Sequence, residues 1–381
     1  MSTPEPNEQQ NMVSNGSTSI PNRRRRGKSS AVVTQIREQI IRGLQPAARL
    51  ATFNEMEQVY GVSRAVLRDA VEELKRDGFI YSVDRQGLFV SDRPPHLSRF
   101  GMVFPNNPSS PEWPRFYTAL QHEAAGLQRD RGDITFSAYH DLSAGPGSDT
   151  YERLCADVES HLLAGLILMP GCHQLGNDPN FCGADVPKIY ICGAPNVGRV
   201  PSVAMDEIQL CDRMVQWLRE RGRQRIAAVA IWGNSEMQRN YLLEQNVPHR
   251  PHWIQTLGRD NVPDVRKIIA LLMDYPVDQR PDGLIILDDN LTEHAIGGLL
   301  ECDLKVGTDI DVIAHCNWPW TVANSVPVQR VGFHARHMLS LALRAIELKR
   351  TNRPLATEIV KVPALFEAEI DKPWPALGFD E

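Results

Sequence analysis

Long apolar runs are missing from this chain. No stretch approaches the about eighteen consecutive apolar residues of a membrane-spanning helix, so a membrane span is excluded. Paired cysteines are missing too: the seven cysteines, at 155, 172, 182, 192, 211, 302 and 316, form no Cys-x-x-Cys pair. An odd, scattered set reads as a reduced, cytoplasmic protein. Residues 1–18 hold no apolar core segment, so no secretory signal is expected. Catalytic signatures are absent as well. There is no Gly-x-Ser-x-Gly, no phosphate-binding loop, no His-Glu-x-x-His, and no Gly-x-Gly-x-x-Gly after a strand. Cys172-His173 and His315-Cys316 lack further ligands at any usual metal spacing, so neither a metal nor a cofactor is expected. These gaps argue against an enzyme.

What is present is ordinary globular material: 381 residues, 42% hydrophobic and 23% charged, enough for two or three domains. The net charge of -6 is unevenly spread. Residues 1–95 carry 14 Lys and Arg against 11 Asp and Glu, a net of +3, and the rest holds a net of -9. A modestly basic small domain joined to an acidic large one permits nucleic-acid binding by the first.

Residues 1–28 are rich in Ser, Asn, Pro and Gln and are expected to be a disordered basic tail. The run Arg23–Arg26 with Lys28 reads either as a phosphate-binding arm or as a solvated charge cluster. From Val33 the pattern turns helical: Val33, Ile36, Ile40, Ile41 and Leu44 share a face. Phe53, Met56 and Val59 make a second, short helix stopping at Gly61. Ser63 then caps a third, whose inner face is Leu67, Ala70, Val71 and Leu74. Two short strands, 79–83 and 88–90, flank the turn Asp84-Arg85-Gln86-Gly87 as a hairpin. Three helices and a hairpin over 29–92 outline a winged helix-turn-helix. Arg64 and Arg68, four apart, lie on one face of the third helix, away from its apolar stripe. Arginines so placed fork to guanine edges or to phosphates.

Asp92-Arg93-Pro94-Pro95 opens a linker over 93–98. Beyond it, strands are expected at 100–104, 134–139, 165–169, 188–192, 225–231, 283–287 and 311–315. Helices are expected at 115–130, 207–221, 262–274, 290–301 and 332–349. Continuous apolar strands spaced by helices imply parallel sheets covered on both faces, and this length suggests two subdomains. Asp288 and Asp289 directly follow the strand 283–287, where ligands bind in open α/β sheets. At least one of the two is expected to cap the next helix.

Residues 31–91 resemble the GntR-family winged helix. The turn Pro46-Ala47-Ala48-Arg49-Leu50 and the stretch Gly61-Val62-Ser63-Arg64, with Leu67-Arg68 and Ala70, match the family's motifs. Leu74, Gly78, Gly87 and Phe89-Val90 continue the match into the wing. The resemblance implies DNA contacts from Arg64, Arg68 and Ser63, and a minor-groove approach at Gly87. It departs at 51–54, where the family's Pro-Ser-Glu-Arg is Ala51-Thr52-Phe53-Asn54, and at Arg85, near which the wing's first glycine is replaced. Thr52, Asn54 and Arg85 remain candidate contacts to phosphates or bases.

Residues 99–370 resemble the LacI/GalR-type, periplasmic-binding-protein-like (type I) regulatory domain. The stretch 281–289 carries the resemblance, with Asp303-Leu-Lys-Val306, 309–313, 165–170, Val200-Pro-Ser-Val203 with Asp206, and Arg225-Ile226-Ala227. The expected fold is thus an α+β winged helix followed by an α/β domain of two parallel-sheet subdomains. A GntR head on a LacI-like body is the arrangement of arabinose-repressor-type regulators. The resemblance implies ligand contacts from Arg239, Asp288, Asn317, Asn106, Trp113 and Gln329, with Trp318 and Trp320 stacking on a sugar ring. Together the two resemblances imply a cytoplasmic DNA-binding regulator, read as a repressor, acting as a homodimer on operator DNA and governed by a sugar-like effector. A non-sugar or protein effector is the alternative.

Overall fold

The computed structural model describes residues 23–182, 186–192, 200–231, 235–247, 250–374 and 378–379. The chain divides after Asp92 into two compact units.

In the first unit, α1 (Arg23–Arg42), α2 (Phe53–Tyr60) and α3 (Arg64–Asp77) precede a hairpin of β1 (Ile80–Val83) and β2 (Gly87–Val90). Residues 1–22 of the expected tail lie outside the described residues. The rest of that tail is not disordered: Arg23–Lys28 form the start of α1, because the helix continues ahead of its first buried residues. Val32, Val33, Ile36 and Ile40 of α1 are buried, as are Leu67, Ala70, Val71 and Leu74 of α3. The buried Arg37 of α1 is bonded to Asp77 of α3, and its guanidinium lies 5.4 Å over the Phe79 ring. Gly61 and Gly78, at φ +61° and +87°, end α2 and α3 in the left-handed conformation that a Cβ disfavours. β1 and β2 pair antiparallel. The segment after Pro46 joins them: Leu50 N–H donates to Leu88 O at 2.9 Å and Val90 N–H to Ala48 O at 2.8 Å.

The second unit has two lobes. Its first turn, α4 (Pro95–Ser98), occupies most of the expected linker. The first lobe holds β3 (Arg99–Val103), α5 (Arg115–Arg131), β4 (Thr135–Tyr139), α6 (Asp149–Glu159), β5 (Gly165–Leu168), α7 (Pro179–Cys182), β6 (Lys188–Ile191) and β7 (Ser202–Met205). The second holds α8 (Glu207–Glu220), β8 (Ile226–Ile231), α9 (Ser235–Glu244), β9 (Ile254–Leu257), α10 (Val265–Met273), β10 (Gly283–Ile286), α11 (Thr292–Glu301), β11 (Asp311–Trp318) and β12 (Gln329–His334). α12 (Ala335–Arg350) and β13 (Ile359–Val362) return to the first lobe, and β14 (Leu365–Phe366) to the second.

One sheet has the order β13-β7-β6-β5-β3-β4, with all its pairings parallel. The other is β14-β12-β11-β10-β8-β9, parallel except for β14. The central strands β5, β6, β8, β10 and β11 are buried throughout, as expected of strands covered by helices on both faces. β7, β9, β12 and β13 were not among the expected strands. Each has partly exposed positions that break the continuous apolar run. The expected helix 332–349 starts three residues late for the same reason: β12 runs on to His334.

The chain crosses between lobes at 205–207, 334–335 and 362–365. Hydrogen bonds tie the first and last crossings together. Asp206 N–H donates to Val362 O at 2.9 Å, Ala364 N–H to Gln209 Oε1 at 2.8 Å, and Arg213 Nη1 to Ala364 O at 2.8 Å. Backbone held on both sides at a crossing suits a hinge that bends without unravelling.

Candidate DNA-reading face and candidate ligand cleft

Thr52 caps α2. Its hydroxyl accepts from Glu55 N–H, while the Glu55 carboxylate accepts from Thr52 N–H at 2.7 Å. This reciprocal cap fixes the entry to α2 and commits the Thr52 side chain locally. Ser63 caps α3 by position but makes no side-chain cap bond, so its exposed hydroxyl stays available. Arg64, in the first turn of α3, donates to Asn54 Oδ1 at 3.1 Å and lies 5.5 Å over the Phe53 ring. The two helices of the motif thus bring Asn54 and Arg64 together. Arg68, one turn on, is exposed and has no hydrogen-bond or ionic partner among the described residues. Its neighbours are engaged elsewhere: Asp69 with Arg25, and Glu72 with Lys75. A free guanidinium on the solvent side of α3 is poised for an anion or a base edge.

The wing completes this face. Arg85, at φ +59°, is exposed in the hairpin turn, where a glycine is more usual. Gly87 sits at φ +116°, and a Cβ there would come 3.5 Å from Arg49 Nε. The backbone at Gly87 therefore stays bare and approachable.

In the second unit, a cavity of about 110 Å³ opens between the lobes at the carboxyl ends of the parallel strands. That is the same order as a cavity holding one benzene-sized molecule. The first lobe contributes Phe116, Tyr117, Pro170 and Met205, and the second Glu207, Gln238, Arg259, Asp288, Asp289, His315, Asn317 and Phe333. Asp289 is 3% exposed and accepts from Asn317 Nδ2 at 2.8 Å. Burial, then the neighbouring Asp288 charge, pushes its carboxyl up to about 7. Burial pushes Glu207 up to about 7 and holds His315 down at about 4, the latter against the pull of Asp288. Asp288 accepts from Asn290 N–H at 2.9 Å, with Arg259 Nη2 3.8 Å from its other oxygen.

Several polar atoms here are buried without a partner: both ring nitrogens of His315, Asn317 Oδ1 and Arg259 Nη1. Orphaned buried donors and acceptors are costly, and their gathering in one cavity marks a place a polar ligand completes.

Asp288 and Asn317, both expected, meet in this cleft. The other expected contacts lie elsewhere. Arg239 is on the exposed side of α9, and Gln238 faces the cavity in its place, one helical turn before the buried Leu242. Asn106 donates to Glu112 at 3.3 Å outside the lining. Trp113 packs on Phe104, Tyr117 and His140. Trp318 is buried with its Nε1–H on Leu365 O at 2.8 Å, and Trp320 bonds Glu123 at 2.9 Å. Gln329 opens β12, whereas the cleft collects residues from the other end of that strand. Arg259 and Glu207 were missed because each follows a strand, β9 or β7, that the apolar pattern did not reveal.

The first unit carries a known signature: residues 28–90 match the profile of the bacterial regulatory proteins of the gntR family. The body has the fold of LacI-type regulators. A LacI family transcriptional regulator from Lactobacillus casei, solved with bound glucose, superposes with a TM-score of 0.52 at 16% identity, over 71% of this chain and 98% of that one. The transcription regulator CcpA of Lactococcus lactis gives 0.54 at 12% identity, over 71% and 97%. A GntR-type winged-helix head on a LacI-type two-lobed body defines a DNA-binding transcriptional regulator. Across 86% of its length the chain is 21% identical to the arabinose metabolism transcriptional repressor of Halalkalibacterium halodurans, covering 91% of that protein.

Proposed function

We propose that this regulator is a cytoplasmic repressor that binds a pseudo-palindromic operator as a homodimer and is released or tightened by a small, sugar-like effector held between its lobes. Arg64 and Arg68 read base edges in the major groove, Ser63 and Asn54 assist at the start of α3, and Arg85 and Gly87 bring the wing to the adjacent backbone. A dimer is required because one recognition helix reads too few base pairs for operator specificity.

The observation that carries the effector reading is the set of unpartnered buried atoms on His315, Asn317 and Arg259. A polyhydroxylated ligand supplies both donors and acceptors to such a set: hydroxyl protons for Asp288, Asp289 and Asn317 Oδ1, and lone pairs for Arg259. Phe116, Tyr117 and Phe333 offer the apolar faces that a sugar ring covers. At its present size the cavity suits such a ligand only if the lobes part to admit it. The ligand then biases the balance between lobe arrangements of unequal operator affinity.

The test is a fixed-salt gel shift of the full chain on its own upstream DNA, with and without a pool of neutral sugars. A specific band that responds to the pool supports both halves of the reading. A specific band indifferent to every sugar removes the sugar effector, and the absence of any specific band removes the operator assignment.

A further inference from the structure

Five cations stand within the six residues Arg23–Lys28, with no acid among them. Four of the five precede the gntR match, which begins at residue 28, and neither the arginines of α3 nor the wing account for them. They belong to α1, whose first turn also lacks any acid. Cations at the start of a helix are repelled by its positive end, so this arrangement is unfavourable until an anion meets it.

The packing of α1 on α3 decides where the cluster lies. Arg25 donates to Asp69 Oδ1 at 3.0 Å and to Ala65 O at 3.3 Å. Arg37, about three turns later, is bonded to Asp77 at the far end of α3. The two helices therefore run side by side in the same sense, and the start of α1 lies against the first turns of α3. That is the end of a recognition helix that enters the major groove. Asp69 is the acid that ties Arg25 down, an exposed pair that contributes position more than energy.

We propose that Arg23–Lys28 form a second DNA contact, an edge that grips the phosphates flanking the bases read by α3. The proposal rests on the DNA-binding reading of the head. Its ligand is the phosphodiester backbone, so it adds affinity and register, and Arg64 and Arg68 keep the discrimination between sequences.

The experiment is fluorescence anisotropy of the full chain on two duplexes of equal length: one selected from random DNA by the wild-type protein, and one unrelated. Salt is varied from about 50 to about 200 mM, where phosphate contacts dominate the dependence. Replacing Arg23, Arg24 and Arg26 together by Gln is expected to make the plot of log K against log salt shallower by about 2 to 3, near 0.9 per lost contact. The loss should fall equally on both duplexes, and the sequence the variant selects should be that of the wild type. Replacing the same three by Lys should keep the wild-type slope. An unchanged slope in the Gln variant overturns the proposal, as does a shift in the selected sequence, which would mean base contacts. If the wild-type chain itself shows no salt-dependent binding to either duplex, the DNA reading fails rather than this extension of it.

Discussion

Asp289→Asn should change how the stability of the two-lobed body depends on pH. Asp289 is buried beside Asp288, and its carboxyl titrates near 7 in the folded protein against about 3.9 in an unfolded chain. Between those values the folded protein holds a proton that the unfolded chain has released. The stability from this group is therefore fully present below about pH 4 and is lost progressively as the pH rises to about 7. One pH unit inside that window is worth about 1.4 kcal/mol, so the loss between pH 5 and pH 8 comes to about 3 kcal/mol. An asparagine keeps the shape and an acceptor for Asn317 Nδ2, which now donates at 2.8 Å, and it does not titrate. The stability of the variant minus that of the wild type should thus rise by about 3 kcal/mol from pH 5 to pH 8. All seven tryptophans lie beyond residue 93, so urea unfolding followed by tryptophan fluorescence reports the body without the head. A difference that stays constant with pH, or falls, refutes the claim that burial holds the proton on this carboxylate.

Three further perturbations separate the parts of the molecule. Arg64→Ala removes the bond to Asn54 and the stacking on Phe53 together with the base contact, and should cost about 1–3 kcal/mol of discrimination between selected and unrelated duplexes in a competition gel shift. Arg259→Ala should abolish the effector response of operator binding while leaving effector-free DNA affinity unchanged. Arg239→Ala, on the exposed side of α9, should leave the whole dose-response curve where it was. Leu67→Ala empties a fully buried position between α1 and α3 and should destabilise the head by about 2–5 kcal/mol, read as an earlier head transition in circular dichroism with the tryptophan transition of the body unmoved.

The head was legible because its determinants are local. Caps, left-handed glycines and a period of three to four sit within sixty consecutive residues, and each constrains its neighbours directly. Arg64 and Arg68 could be assigned to the outer face of α3 from spacing alone, since a continuous helix fixes their direction relative to Leu67 and Leu74. Even so, the pairing of Asn54 with Arg64, and the docking of Arg25 on α3, depend on how separate helices pack. In the body, apolar runs betrayed the central strands and not the partly exposed ones, so the residues at the ends of β7 and β9 went unnoticed. Motif matching placed a clamping arginine at 239, whereas the helical phase of α9 turns that position to solvent and aims Gln238 inward.

By itself, then, the sequence determined the two-domain division, the winged helix with its reading arginines, and the alternation of strand and helix in the body. The cleft was decided by the tertiary structure alone. Tyr117, Glu207, Arg259, Asp289 and Asn317 come from five separate segments and share no local pattern. They meet because the chain crosses between lobes near Asp206, His334 and Ala364, which brings the carboxyl ends of two parallel sheets face to face. No spacing along the chain encodes that meeting; it comes from sheet order and from the burial that leaves His315 and Asn317 facing the cavity without a partner.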